Sequence, residues 1–293
     1  MPAPTLRDLI NDGEARIRRS KHVDLWRTYV ARIDAEEIVE AALGREFVED
    51  ELDEPVEPSL RKKIDRLIKR REAGEPTALI RGFVEFRGMK LETRRGVFTP
   101  RPSSELLAEE AIKRLRRKAA GVAVDVACGA GAVALAVARE VPDAQVYGVD
   151  IWKPAIKLCR VNAEGLRISN VKFKAGDMLE PLPKRLRGGV DVFTIHPPYV
   201  ARQQVKTLPV EIRDYEPTVS LTDRSNDGLG LVRRLADEGR KWLSPGGWVL
   251  VEVAPDLARG VAAVMRKRGY GELKSNRDST GATRVVAARF AST

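Results

Sequence analysis

Val122-Ala-Val-Asp-Val-Ala-Cys-Gly-Ala-Gly131 decides the architecture of this chain. The apolar run Val122–Val126 carries one carboxylate, Asp125, and passes through a glycine-rich turn into helix-forming residues from Ala132 to Glu140. A buried strand feeding a helix in this way is the opening unit of a parallel α/β sheet. The same alternation continues outward. Gln145–Asp150 and Val171–Ala175 read as strands, with a helix over 153–164 between them. Beyond them Val190–Ile195 and 248–253 read as strands, 228–243 and a segment ending near Arg268 as helices, and strand candidates lie near Glu272 and over 284–290. The pattern predicts a mostly parallel sheet with helices on both faces and a ligand at the strands' carboxyl ends.

Three successive strand ends carry groups suited to one ligand. In the first turn, Asp125, Cys128, Gly129 and Gly131 let backbone approach a bound molecule, and the helix's first amides face it. The turn lacks both the G-x-G-x-x-G spacing of dinucleotide folds and the Gly-Lys-Ser/Thr ending of a nucleotide-triphosphate loop. Asp150 ends the next strand, where its carboxylate can accept both hydroxyl hydrogens of a ribose; the competing reading is a helix cap. Ile151 and Trp152 follow it, and Trp152 can cover an adenine face or simply pack. Asp177 in Ala175-Gly-Asp-Met178 suits an adenine amino group, with Met178 against the ring, although alone it would read as a turn residue. The three loops together fit S-adenosylmethionine.

The 293 residues, 43% of them hydrophobic, suffice for one large core and a smaller one. The stretch 119–138 holds one charge, Asp125, yet Gly121, Gly129 and Gly131 interrupt it, which argues against a membrane span. Met1-Pro-Ala-Pro-Thr-Leu-Arg-Asp has no basic segment followed by an apolar one, so no secretory signal is expected and a cytoplasmic location is. Cys128 and Cys159 share no CxxC spacing, and His22 and His196 are the only histidines, so neither a disulfide framework nor a metal site is expected. The net charge of +10 suits acidic or RNA-associated surfaces; a genome that favours arginine is the competing explanation.

Helices precede this α/β region. Thr5 can cap a helix to about Ser20, Asp34-Ala-Glu-Glu37 resembles a capping box before Ile38, and Ser59 can cap a third helix that Gly74 stops. The acidic stretch 50–58 reads as an exposed connection, and Phe83–Phe86 with Met89–Glu92 as a hairpin around Arg87-Gly88.

His196-Pro197-Pro198-Tyr199, at the end of the run Val190–Ile195, is similar to the Asn/Asp-Pro-Pro-Tyr tetrapeptide of enzymes that methylate amides or amines with S-adenosylmethionine, with its first residue changed. Over nearly its full length the chain resembles the HemK-type release-factor glutamine methyltransferases. The likeness is carried by Ala31-Arg-Ile-Asp-Ala-Glu-Glu-Ile-Val-Glu-Ala-Ala-Leu-Gly44, by Arg70-Arg-Glu-Ala-Gly-Glu-Pro-Thr-Ala-Leu-Ile80, and by Thr99-Pro-Arg-Pro-Ser-Ser-Glu105, with Ser104 in place of Thr. Glu216-Pro217 and Asp227-Gly-Leu229 match later family elements. The resemblance implies an α/β fold: a Rossmann-like, seven-stranded methyltransferase domain over 100–293, preceded by a helical substrate-recognition domain over 1–76 and a β-hairpin linker over 77–99. It implies as acceptor the glutamine amide in a Gly-Gly-Gln loop of peptide-chain release factors. Phe98, Arg101, Ser104 and Glu105 would border the acceptor pocket, and Pro197, Pro198 and Tyr199 would line it, with His196, Pro197 and Tyr199 in the catalytic positions and His196 also bordering the cofactor.

His196 is the chief departure from the family pattern. In the family, an Asn oxygen and the carbonyl of the following Pro hold both hydrogens of the amide and aim its nitrogen at the methyl group. A neutral imidazole has one acceptor nitrogen, and near its ordinary pKa of about 6.5 it can become protonated and accept nothing. Three readings stay open: release-factor methylation with an altered bonding partner, His196 as general base toward a small molecule, or a silent protein that binds S-adenosylmethionine or a partner; nucleic-acid adenine methylation is a fourth. Ala127 replaces the first glycine of the family's loop, and its methyl group is expected to fit at negative φ. Ser103 and Ser104 double as helix-cap candidates.

Overall fold

The computed structural model describes residues 3–24 and 30–291; Met1 and Pro2 of the N-terminal stretch, and 25–29 within the expected helical domain, lie outside the described residues. The chain forms two compact units, Met1–Phe83 with Thr207–Glu216, and Val84–Lys206 with Pro217–Thr293.

The first unit is helical. Helices α1 (Leu6–Arg19), α2 (Val30–Leu43), α3 (Pro58–Glu72) and α4 (Thr77–Arg81) bury Ile10, Ile17, Ile38, Val39, Ile64 and Ile68 in one core. Thr5 starts α1 through a reciprocal cap, its hydroxyl accepting from the Asp8 N–H at 3.2 Å and the Asp8 carboxylate from the Thr5 N–H at 2.9 Å. The capping box expected at Asp34 is absent. Asp34 sits buried inside α2, accepting from Arg71 Nε at 2.7 Å and from the Thr77 hydroxyl at 2.6 Å. Its acidic side chain serves the packing of α2 on α3 and α4, because a buried carboxylate must be paired. Proline at the first helical position starts α3 at Pro58, ahead of the expected cap Ser59. The connection over 50–58 is not wholly exposed: Leu52 and Val56 are buried. Thr207–Glu216 also packs in this unit, where Glu211 accepts from Arg71 Nη1 at 2.8 Å.

The hairpin of β1 (Phe83–Phe86) and β2 (Met89–Glu92), which belongs to the second unit from Val84 on, forms over the expected residues. Among the described residues seven further strands make one sheet: β3 (Val122–Val126), β4 (Gln145–Asp150), β5 (Val171–Ala175), β6 (Val190–Ile195), β7 (Leu243–Glu252), β8 (Tyr270–Arg277) and β9 (Thr283–Phe290). Their order is β5-β4-β3-β6-β7-β9-β8, parallel from β5 to β7, with β9 antiparallel to both its neighbours. Helices cover both faces. On one, α5 (Ser104–Leu115), α6 (Ala132–Glu140) and α7 (Lys153–Gly165) pack Leu107, Leu135 and Ile156 with Val146 and Leu250. On the other, α8 (Gly230–Glu238) and α9 (Ala258–Lys267) pack Leu235 and Met265 with Val124, Tyr147 and Val249. The chain order reverses between β3 and β6, and at that switch point the carboxyl ends of the strands open a crevice. Among the described residues no helix is long and apolar enough to cross a membrane.

Candidate active site

The turn after β3 is shaped by its glycines. Gly131 starts α6 at φ +86°, and a Cβ there would meet Cys159 Sγ and the Phe173 ring at 3.1 Å, so only glycine fits. The Gly129 N–H donates to Asp150 Oδ2 at 2.9 Å, while Asp150 Oδ1 accepts from the Trp152 N–H at 2.8 Å. Asp150 therefore ties two loops together and does not cap α7, whose N-cap position is Trp152. Trp152 is itself anchored, Nε1 donating to the Gly96 carbonyl at 2.8 Å.

Ala127 departs from expectation: its φ is +54°, in the left-handed region, not negative. An L side chain there costs on the order of 1–2 kcal/mol. Ala127→Gly is therefore expected to raise the thermal midpoint by about 2 °C, corresponding to roughly 1 kcal/mol in a protein of this size. Differential scanning calorimetry checks this, and an unchanged or lower midpoint would contradict the strain.

At the switch point lies a cavity of about 460 Å³ lined by all three strand-end loops: Asp125, Cys128 and Gly129 from the first, Asp150, Ile151 and Trp152 from the second, and Asp177 and Met178 from the third. Phe98, Ser104, His196 and Pro198 also line it. Gly131, Arg101, Glu105, Pro197 and Tyr199 do not appear in its wall. Glu105 instead accepts from the Arg87 N–H at 2.8 Å, supporting the hairpin turn, and the Arg101 guanidinium lies 4.6 Å from the Phe98 ring centroid. Asp177 pairs with Arg234 at 2.9 Å. Asp125 is buried and accepts from the Thr194 hydroxyl at 2.7 Å. Burial raises its carboxyl to about 7, with Asp150 and Glu252 adding to the rise and the Thr194 and Ala134 donors opposing it.

His196 occupies the acceptor side. Its Nδ1 lies 3.2 Å from Glu252 Oε2 and 3.3 Å from Ser104 Oγ. The ring stands edge-on to Phe98 at 5.3 Å and is stacked on Tyr199 at 5.6 Å. Burial holds its pKa below the ordinary histidine value, against the pull of Glu252 and with the help of Arg101, so the imidazole is neutral at pH 7. The Ser103 hydroxyl does not cap α5 but donates to Glu252 Oε1 at 2.7 Å. Pro197 and Pro198 are buried, and the Pro198 carbonyl accepts from the Asp223 N–H at 3.0 Å. Gly228 backs this segment so closely that a Cβ would lie within van der Waals overlap of the Tyr199 carbonyl.

Glu252, Thr194 and Arg234 escaped the sequence reading. Glu252 had a signal, a carboxylate ending the apolar run Trp248-Val-Leu-Val. Thr194 and Arg234 had none, since each acquires its partner from more than fifty residues away. The two cysteines are free, yet the fold brings their sulfurs to 3.9 Å.

A family described as a methyltransferase domain matches residues 117–244. The release factor glutamine methyltransferase of Bordetella pertussis is 36% identical over 257 residues, which cover 87% of this chain and 93% of that protein. That of Geobacter sulfurreducens is 33% identical, covering 89% of this chain and 90% of its own length. Among solved structures, a methyltransferase from Pyrococcus furiosus shares the fold with a TM-score of 0.51 at 19% identity, over 70% of this chain and 91% of that one.

Proposed function

This chain belongs to the release factor glutamine methyltransferase family, and from that premise we propose that it transfers a methyl group from S-adenosylmethionine to the side-chain amide of a glutamine in the Gly-Gly-Gln loop of a peptide-chain release factor. The observation that carries the reading is the meeting of Gly129, Asp150, Asp177 and His196 at one cavity on the switch point of the sheet. The residues fit the cofactor. Asp150 keeps lone pairs for ribose hydroxyls beyond its two backbone bonds, Asp177 and Met178 suit the adenine, and the carboxyl of Asp125 suits a cation. When bound, S-adenosylmethionine supplies an electrophilic methyl group on its sulfonium.

The protein's own task is positioning. An amide nitrogen is a weak nucleophile because its lone pair is delocalised into the carbonyl, so the site must aim it and hold its hydrogens. A neutral His196 offers one acceptor for that purpose, with Phe98 and Tyr199 fixing the ring plane. Tyr199 stacks on His196, the buried Pro197 anchors the segment, and Arg101 and Glu105 act on the pocket through Phe98 and the hairpin. A cytoplasmic place of action suits this substrate, and the +10 charge suits acidic or RNA-associated surfaces near it.

Because the Asp125 carboxyl titrates near 7, a cationic ligand binds its ionised form preferentially, and affinity rises with pH. The acid is roughly one-tenth ionised at pH 6 and nine-tenths at pH 8, so S-adenosylmethionine affinity is expected to increase by up to about tenfold over that range. Asp125→Asn should lose the Asp125 part of the rise; an identical pH dependence in both proteins would contradict it.

Incubation with methyl-labelled cofactor and a release factor, followed by mass-spectrometric location of the label, tests the substrate. Label on the glutamine amide is the expected result. Label on added small molecules alone would favour the reading that the carboxylate-backed imidazole, His196 beside Glu252, acts as a general base.

A further inference from the structure

We propose that Glu252 is a positioning residue: its carboxylate holds the imidazole proton of His196 on Nδ1 and so fixes the tautomer whose Nε2 lone pair accepts a hydrogen of the acceptor amide. This rests on the substrate reading above only for the identity of the acceptor. The tautomer itself follows from the surroundings of Nδ1.

Glu252 ends β7 and is 3% exposed. Its Oε1 is occupied by the Ser103 hydroxyl at 2.7 Å, while Oε2 is fully buried, accepts no hydrogen bond from the described residues and lies 3.2 Å from His196 Nδ1 as a charge contact. A bare nitrogen lone pair at that distance would repel the carboxylate, whereas a proton on that nitrogen is attracted by its charge. Ser104 Oγ, at 3.3 Å from the same nitrogen, could donate to it or share its proton. The full charge of a carboxylate at 3.2 Å acts on that proton more strongly than the dipole of a neutral hydroxyl, so Glu252 decides the outcome.

The ring is also prevented from turning over to exchange its nitrogens. Phe98 meets it edge-on with an interplanar angle of 83°, and Tyr199 stacks on it at 16°. Of the charged groups facing the imidazole, Glu252 favours its protonation, while Arg101 and burial oppose it, which keeps the second nitrogen unprotonated. The Ser103 hydroxyl completes the arrangement by fixing the carboxylate, a use that replaces the expected helix cap. The departure from the family's Asn is thereby accommodated: one nitrogen is spent on Glu252, and the other is left as a directed acceptor.

The two histidines make the test direct. In the full chain labelled with ¹⁵N-histidine, His22 is exposed and His196 is not, so their imidazole signals separate. At pH 7.5 without substrate, His196 is expected to show a protonated Nδ1 and an unprotonated Nε2. In Glu252→Gln, the amide can donate to Nδ1 and invert the tautomer, and kcat is expected to fall by roughly a hundredfold or more with little change in cofactor affinity or in KM. Glu252→Asp should keep the wild-type tautomer and recover part of the rate. A wild-type spectrum with Nε2 protonated, or with both tautomers mixed, would overturn the proposal whether or not the variants fold, as would a Glu252→Gln protein with unchanged kcat. Because the spectrum is read without any acceptor, a failed release-factor assay beside the expected tautomer would overturn the substrate and not the role of Glu252.

Discussion

His196→Ala is expected to lower kcat for methyl transfer by at least about a hundredfold, the scale set by losing the geometry of a reacting group. S-adenosylmethionine affinity should stay within about threefold, since the cofactor's polar contacts fall to Asp150, Asp177 and the turn after β3. The alanine removes the acceptor for the substrate amide and uncovers the faces of Phe98 and Tyr199. Steady-state kinetics with calorimetric binding separates the two effects. An undiminished kcat would show that His196 takes no part in aiming the acceptor.

Asp150→Ala is expected to weaken S-adenosylmethionine binding by about a hundredfold or more. Two bonds from ribose hydroxyls to a carboxylate contribute about 1.5–3 kcal/mol each, and every 1.4 kcal/mol is tenfold in affinity. The same side chain holds the Gly129 and Trp152 amides, so its removal also loosens the two loops that form the cavity wall. Asp150→Asn keeps one acceptor oxygen and should lose less. Equilibrium dialysis with labelled cofactor measures both, and an unaltered dissociation constant in the alanine variant would place the ribose elsewhere.

The fold was legible wherever a local signal coincided with burial. The strands β3, β4 and β6 are short, largely apolar runs and β5 alternates apolar with lysine, each bounded by turn residues, and α1 carries a cap that closes within three residues. The cavity was legible for the same reason, since Gly129, Asp150 and Asp177 each stand at the end of such a run. What failed depends on partners remote in the chain. Asp34 mimics a cap until Arg71 and Thr77 arrive from other helices, and Ser103 mimics one until Glu252 takes its hydroxyl. Glu105 reads as a pocket residue through the family resemblance, while the hairpin turn holds its carboxylate. Between Tyr199 and Gly228 the α-helices last a single turn, as at Val210–Arg213 and Thr218–Leu221, too short for any periodicity to register. Ala127 was misjudged because a residue name does not reveal its φ; the tight turn into Gly129 imposes a left-handed backbone that the family meets with glycine.

Every step of the proposed reaction presupposes that the crevice between β3 and β6 holds the methyl donor. Isothermal titration of S-adenosylmethionine into the unmodified full chain measures this most directly. Saturable binding of one equivalent per chain, abolished or sharply weakened by Asp150→Ala, is the predicted result; no detectable binding to a folded protein would contradict it.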